Sequence, residues 1–371
     1  MLMNPLGPLP RLLFGAGAVS KVRDALADVG VCRPLLLSDR GLERAGIVAA
    51  AARAMPDATI LYLDVPENPT GADTDAAFAV YRSEGCDGVV ALGGGSVIDS
   101  AKFVVALAGG TVARAAELIG RPELIGEVAP LIAIPTTVGT GSESSPVSAL
   151  HTEPGGPAIG TRSPRLVPRV AICDSDLART LPRRLIAATG IDALSHCIEG
   201  YFADPANPVF DALALDGIVR VFGDLRAALE PDGDDARGSL MAAAFAGGAA
   251  IHKGLGPAHA VALACGQQDL HHGTLIGLAL PWTVGTVAAR APAKADRIAA
   301  ALGLSGGDKL AEAIRRLGRD LGLPETLSEV GFVAKSIGTL IDRMVASPFN
   351  RTSPYAPTRE EYRRIAEALL V

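Results

Sequence analysis

Residues 93–102, directly after an apolar run at residues 87–92, are Gly93-Gly94-Gly95-Ser96-Val97-Ile98-Asp99-Ser100-Ala101-Lys102. A strand that ends in glycines and opens into a helical pattern is typical of a βαβ unit. Free backbone N–H groups at such a helix start favour an anion, and glycine lets a phosphate approach closely. The motif is neither Gly-x-Gly-x-x-Gly nor a P-loop, so a tight turn without a ligand is the alternative interpretation.

The same alternation extends in both directions from this turn. Short apolar runs predict strands at residues 34–38, 58–65, 87–92 and 130–134, with helices at 16–29, 72–84 and 96–107. We therefore expect residues 1–181 to form an α/β domain with a parallel sheet. From residue 182 the pattern is helical without a convincing strand, as at 210–229, 238–250 and 293–302, which predicts an all-α domain over 182–371. A ligand is expected in the cleft between the two domains.

A second candidate loop follows the predicted strand at 130–134. It carries hydroxyl side chains among glycines, and two such loops at successive strand ends form a bed for a pyrophosphate and its sugars. Its hydroxyl residues are Thr136, Thr137, Thr140 and Ser142. Asp39 ends the first predicted strand and can accept hydrogen bonds from a ribose 2′-hydroxyl, although a helix N-cap is the commoner use of such an aspartate.

A candidate metal site lies in the second half of the chain. In the run Gly190-Ile191-Asp192-Ala193-Leu194-Ser195-His196, Asp192 and His196 are four residues apart, so a helix places both on one face. His259 and the pair His271-His272 follow, and four of the six histidines fall within 21 residues. One carboxylate with three imidazoles suits Fe(II), Zn(II), Mn(II) or Ni(II). The alternative is a helix-face hydrogen bond and an exposed turn.

Composition restricts the class of protein. The 371 residues are 49% hydrophobic and 20% charged with net charge −6, which predicts a compact globular protein and disfavours binding to nucleic acid or an anionic membrane. The five cysteines are widely spaced and form no Cys-x-x-Cys pair, which favours reduced thiols in a cytoplasmic protein. We see no export signal at the N-terminus and no apolar run long enough to cross a membrane.

Taken together, these segments resemble the iron-containing (group III) alcohol dehydrogenase family, which shares a dehydroquinate synthase-like fold. The resemblance covers most of the chain and keeps the family's order of motifs. Its segments are Phe14-Gly15-Ala16-Gly17, Asp39, Asn68-Pro69-Thr70, the turn at 93–102, residues 135–143, residues 190–199, and Gly254-Leu255-Gly256 leading to His259.

The resemblance implies an N-terminal dinucleotide-binding domain, a C-terminal metal-binding domain and a homodimer. Asp192, His196 and His259 match three family ligands, and His272, which precedes Gly273, matches the fourth if the intervening loop is one residue shorter. The candidate cofactor-binding residues are Asp39, Asn68, Gly93, Gly94, Gly95, Ser96, Asp99, Thr136, Thr137, Thr140 and Ser142.

The chain also departs from the family pattern. Leu263 stands where a second histidine usually follows the third ligand, and Ala158 stands where a lysine commonly contacts the cofactor. The family's Asn-Pro-Arg appears here as Phe349-Asn350-Arg351-Thr352, so substrate contacts there do not carry over. With Leu263 in place, His252, His271 or water remain as proton donors.

The implied reaction is metal-assisted hydride transfer between NAD(H), rather than NADP(H), and a small alcohol or aldehyde. Maleylacetate reductase is an alternative within the fold, and a dehydroquinate synthase-like lyase or a non-catalytic relative are alternatives of another class. Lys253, on the segment leading to His259, can favour a substrate with an anionic tail, or it can simply extend into solvent.

Overall fold

The protein divides into two compact units, one ending at Leu181 and the other beginning at Pro182. The computed structural model describes residues 7–266, 268, 270–334 and 336–370. Each cysteine is a free thiol. Within the described residues, no helix combines the length and the apolar character that crossing a bilayer requires.

The strands in the described part of the first unit are β1 (Arg11–Phe14), β2 (Pro34–Leu37), β3 (Ile60–Tyr62), β4 (Gly88–Gly93), β5 (Leu131–Pro135), β6 (Val147–His151), β7 (Ala158–Arg162) and β8 (Val170–Cys173). Six of them form a sheet in which every pairing is parallel, in the order β1-β8-β5-β4-β2-β3, and β6 and β7 form a separate antiparallel hairpin. The α-helices are α1 (Val22–Asp28), α2 (Arg40–Arg44), α3 (Ile47–Ala52), α4 (Gly71–Ser83), α5 (Gly95–Ala108) and α6 (Ala115–Leu118).

The central strands are buried on both faces, as expected for a parallel sheet covered by helices. Successive residues of β2 enter different cores: Leu36 belongs to one apolar cluster, and Leu35 and Leu37 to another. This alternation follows from the two-residue period of a strand. The parallel α/β sheet predicted from the sequence is confirmed.

The direction of chain progression reverses between β2 and β4. β2 pairs with β3 on one side and with β4 on the other. The carboxyl ends of two adjacent parallel strands therefore meet at this edge, and Ser38 Oγ, just beyond β2, donates to Leu92 O of β4 at 2.8 Å. Ligands of open α/β sheets bind at such a switch point.

The sequence missed four strands and misplaced one helix start. β1, β6, β7 and β8 were not expected. The helix expected from residue 16 instead begins as a 3-10 turn at Ala18–Lys21 before α1. The physical reason for the late start is that Gly15 and Gly17 have φ of 130° and 74°, outside the right-handed helical region.

The described residues of the second unit form helices joined by loops. Its helix α7 is buried from Ile186 to Phe202 and packs against α8, α9 and α11. The helices are α7 (Arg183–Phe202), α8 (Pro208–Ala228), α9 (Asp234–Ala250), α10 (Pro257–Cys265), α11 (His272–Ala288), α12 (Pro292–Ala301), α13 (Leu310–Asp320), α14 (Ile337–Ala346) and α15 (Arg359–Leu370). Because α7 lies at the centre, any polar side chain on it must find a partner inside the protein.

Candidate metal centre and nucleotide loops

Three polar side chains lie on one face of the buried helix α7. Asp192, His196 and Glu199 are separated by four and three residues, so successive helical turns bring them onto the same side. All three are buried. Water does not reach these side chains in the protein interior, so their partners must come from neighbouring helices.

Two histidines from α10 and α11 complete a cluster with this face. Asp192 Oδ1 lies 3.7 Å from Nε2 of His196 and 3.7 Å from Nε2 of His272. The His259 ring stacks on His196 with ring centroids 5.0 Å apart and lies 5.4 Å from the His272 ring. One potential ligand atom from each of Asp192, His196 and His259 lies within 4.8 Å of the others. The geometry therefore brings Asp192, His196 and His259 to one point, and His272 contacts this cluster through Asp192 Oδ1.

The cluster fits a bound cation. Asp192 Oδ1 and His259 Nε2 are buried and have no hydrogen-bond partner among the described residues. Leaving buried polar atoms without partners costs free energy, and a metal ion satisfies them at once. Burial raises the pKa of Asp192, while the neighbouring imidazoles partly offset this. One carboxylate oxygen with imidazole nitrogens is a donor set for a borderline divalent ion.

His272, rather than His271, faces Asp192. Desolvation lowers the pKa of His272 below the ordinary value for histidine, with the Asp192 carboxylate opposing the shift. A lowered pKa favours the neutral ring, which is the form that a metal requires. His271 caps the start of α11, with its Nδ1 3.4 Å from Thr274 Oγ1.

Glu199 is a site residue that the sequence analysis did not single out. Its carboxylate lies 2.6 Å from His259 Nδ1 and accepts hydrogen bonds from the backbone N–H groups of Gly256 and Ala258, at 2.9 and 2.6 Å. The signal was present in the sequence. Helical spacing places Glu199 on the same face as Asp192 and His196.

The candidate proton donors lie in different surroundings. His252 stacks on Phe210 of α8 with ring centroids 5.3 Å apart, and this packing favours a structural role. Leu263 lies one turn after His259 on α10, so that face of the helix offers no titratable group there. His271 is close enough to influence the pKa of Asp192. Of the two histidines considered, His271 is therefore the better placed.

Lys253 corrects both expectations drawn from the sequence. It is buried, it forms an ion pair with Asp211 of α8, and its Nζ donates to Tyr201 O at 3.2 Å. Burial lowers the pKa of Lys253, and the Asp211 carboxylate opposes that shift. The side chain neither extends into solvent nor offers an uncompensated charge to a substrate. Its ammonium group instead forms a hydrogen bond with a carbonyl in the C-terminal turn of α7.

In the first unit, the two expected nucleotide loops are in contact. Gly94 caps the start of α5, and a Cβ there would lie 3.1 Å from Thr137 Cγ2; a Cβ on Gly95 would lie 3.0 Å from Thr140 Cγ2. Glycine at these two positions therefore favours close packing of the loop after β5 on the turn after β4. Ser96 Oγ donates to Glu67 O, which ties the turn to the segment containing Asn68.

Asp99 and Ser142 hold these loops together. Oδ1 of Asp99 accepts a hydrogen bond from Ser142 Oγ, and Oδ2 accepts one from the backbone N–H of Ala149 at 2.8 Å. Burial raises the pKa of Asp99, with the Lys102 ammonium opposing it. Since both carboxylate oxygens are engaged within the protein, these bonds favour a loop-holding role over direct cofactor contact. Thr136 is likewise buried behind the loop.

Asp39 caps helix α2 at the end of β2. Its Oδ1 accepts a hydrogen bond from the Leu42 N–H at 2.9 Å, so the helix-cap alternative is realised. The next residue, Arg40, is engaged with Asp64 at 2.7 Å and Glu43 at 2.9 Å. The guanidinium of Arg40, next to Asp39, is thus already paired with carboxylates of the protein.

Two family models together match almost the whole chain. Residues 10–175 match the model described as iron-containing alcohol dehydrogenase, and residues 186–370 match the C-terminal model of the Fe-containing alcohol dehydrogenase family. Among curated proteins, the chain is 37% identical over 367 residues to 4-hydroxybutyrate dehydrogenase of Cupriavidus necator, covering 95% of this chain and 96% of that protein.

Solved structures agree with the sequence matches. A 1,3-propanediol oxidoreductase superimposes with a TM-score of 0.91 at 28% identity and covers 99% of both chains. Sulfoacetaldehyde reductase from Bifidobacterium kashiwanohense, solved in complex with NAD+, also gives 0.91 at 26% identity, covering 100% of this chain and 99% of that one. The dehydroquinate synthase-like fold expected from the sequence is confirmed, and the chain belongs to the iron-containing alcohol dehydrogenase family.

Proposed function

We propose that this protein is a metal-dependent oxidoreductase that transfers a hydride between NAD(H) and a short alcohol or aldehyde. The observation that carries the proposal is the convergence of Asp192, His196, His259 and His272, with buried acceptor atoms of Asp192 and His259 unpartnered among the described residues. Membership of the family supports the reaction class. These four side chains would hold Fe(II) or Zn(II).

The residues divide the chemistry between them. A bound divalent ion supplies a Lewis acid for a substrate carbonyl or alcohol, and the nicotinamide supplies or accepts the hydride. The protein then has to bind, orient and exclude water, and no side-chain nucleophile is needed. His271, half-buried beside the cluster, is our proposed proton donor to the carbonyl oxygen of the aldehyde as it is reduced to the alcohol, either directly or through water.

The dinucleotide is proposed to bind across the turn after β4 and the loop after β5. The free N–H groups at the start of α5 suit a pyrophosphate, and the absence of a side chain at Gly94 and Gly95 leaves room for Thr137 and Thr140 beside the turn. Asn68 and Ser96 border the same turn. Asp39, at the end of the neighbouring strand, is proposed to face the ribose.

We expect NADH to be preferred over NADPH because the Asp39 carboxylate repels a 2′-phosphate and Arg40 is already paired. Asp39→Asn keeps a side-chain oxygen for the α2 cap and removes the charge. The ratio of kcat/KM for NADH to that for NADPH should fall at least about tenfold, which corresponds to about 1.4 kcal/mol. An unchanged ratio, with unchanged thermal stability, would show that Asp39 acts only as the helix cap.

We propose that the substrate is short and carries an anionic group at its far end. The support is the name of a relative that is 37% identical, a dehydrogenase of 4-hydroxybutyrate, and of a similar structure, a reductase of sulfoacetaldehyde. Lys253 is not its partner, because Asp211 already compensates that charge.

The deciding experiment uses metal-free protein reconstituted separately with Fe(II) and Zn(II). NADH oxidation is followed with butanal and with 4-oxobutanoate, which differ mainly in the terminal carboxylate. Metal-dependent NADH loss matched by alcohol formation supports the proposal. Equal rates with butanal and 4-oxobutanoate would contradict the proposal that the substrate carries an anionic group. No turnover with any aldehyde would favour a non-catalytic relative, and turnover without net NADH loss would favour a lyase. Maleylacetate is included as a third substrate to test the reductase alternative.

A homodimer and a cytoplasmic location are also proposed. The edge strand β1 exposes two apolar side chains, Leu12 at 39% and Phe14 at 50%, and an edge strand with exposed apolar groups is suited to pairing with a second copy. Free thiols at all five cysteines support a reducing compartment.

A further inference from the structure

We infer that Glu199 is a positioning residue for the metal: its carboxylate fixes the tautomer and the orientation of His259. The inference rests on the proposed metal function and concerns a side chain outside the proposed set of ligands. Glu199 lies on α7 with Asp192 and His196, while His259 lies on α10. The pair therefore links the two helices that provide three of the four proposed ligands.

The first step is the set of donors around the carboxylate. Oε2 accepts from the Gly256 N–H at 2.9 Å and lies 2.6 Å from His259 Nδ1; Oε1 accepts from the Ala258 N–H at 2.6 Å. Two of these partners are backbone N–H groups, which can only donate. An ionised carboxylate is an acceptor at every lone pair, so it is suited to this position.

The second step concerns the imidazole. A carboxylate 2.6 Å from Nδ1 selects the tautomer with the proton on Nδ1, because that nitrogen must donate. Nε2 then carries the lone pair. This is the atom that is buried without a partner among the described residues and directed into the cluster. The tautomer and the orientation of the ring are consequently set before a metal binds. Outer partners of metal-bound histidines generally have this effect.

The third step concerns the backbone before α10. Gly256 is the N-cap of this helix, and a Cβ on it would lie 2.9 Å from Glu199 Oε1. The free N–H groups of a helix start favour a negative charge, so the same carboxylate also caps α10 from a neighbouring helix. Glu199 therefore sets both the rotation of the His259 ring and the position of the helix that carries it.

These contacts predict that an isosteric amide cannot replace the carboxylate. In Glu199→Gln, the NH2 group opposes a backbone donor in either orientation: the Ala258 N–H in the first, with the Nδ1–H tautomer of His259 retained, or the Gly256 N–H in the second. In the second arrangement it also donates to His259 Nδ1 and selects the tautomer with the proton on Nε2. That tautomer has no lone pair directed at the metal.

The test measures Zn(II) affinity by competition with a chelator, without substrate or nucleotide. Glu199→Gln should weaken Zn(II) binding by about 10 to 100-fold. Imidazole ¹⁵N NMR of the metal-free protein distinguishes the two arrangements, because the Nδ1–H tautomer of His259 is lost only when the amide NH2 faces Nδ1. The matched control is Glu143→Gln, which changes a buried carboxylate in the first unit and should leave Zn(II) affinity unchanged.

Each outcome is decisive. Unchanged affinity and tautomer in a folded Glu199→Gln protein would overturn the inference. Failure of the wild type to bind any divalent ion would instead overturn the proposed function. If Glu199→Gln does not fold, Gly256→Ala displaces the carboxylate while keeping its charge, and it should weaken Zn(II) binding at least about tenfold. Wild-type affinity in that variant would also contradict a positioning role.

Discussion

Replacement of His259 with alanine is expected to remove the metal from the protein. The His259 ring lies against both His196 and His272, and its Nε2 is buried without a partner among the described residues. Loss of a direct ligand should exceed the cost of losing an outer partner, so we expect Zn(II) affinity to fall by more than about 100-fold. Elemental analysis after dialysis should show little metal. Aldehyde reduction should fall by about 10³, because the Lewis acid contributes several kcal/mol.

His252→Ala is the matched control. His252 precedes His259 by seven residues and packs on Phe210 instead of the cluster. We expect its metal content to equal that of the wild type. Full metal occupancy in His259→Ala, or metal loss in both variants, would disprove the assignment of His259 as a ligand.

The sequence predicted the elements whose signal is local. The strand at 87–92 and the helix after it are found one residue away, as β4 and α5, because an apolar run, a glycine turn and a helical pattern act within twenty residues. β1 escaped because it is a partly exposed edge strand without an alternating pattern. β6 buries Ser148 and Leu150, so its buried face does not appear apolar in the sequence.

The site divides in the same way. Helical spacing alone places Asp192 beside His196, whereas the approach of His259 and His272 depends on how three helices pack. The clustering of histidines in the sequence and the family resemblance predicted that His259 and His272 belong to the site. Their role as ligands stays a prediction. The sequence interpretation of Lys253 was wrong because its partner, Asp211, is 42 residues away, and no local pattern reveals such a pairing.

The buried pair of Lys253 and Asp211 gives the second large expected effect. Lys253→Met keeps most of the apolar stem but leaves the Asp211 carboxylate, whose side chain is only 21% exposed, without its cation. Removing one partner of a buried ion pair is strongly destabilising, and we expect a loss of about 3 kcal/mol in the free energy of unfolding. Urea unfolding of the metal-free protein, followed by circular dichroism, measures this loss.

The double variant Lys253→Met/Asp211→Leu separates pairing from substrate binding. Replacing both charges with apolar groups should recover most of the lost stability, because no uncompensated charge remains. In both variants, the ratio of kcat/KM for 4-oxobutanoate to that for butanal should stay within about twofold of the wild type, since the charge of Lys253 is compensated by Asp211. A large fall in that ratio without loss of stability would show that Lys253 binds the anionic group of the substrate. Equal instability of the single and double variants would instead show that packing around the lysine stem, rather than charge pairing, holds the end of α7.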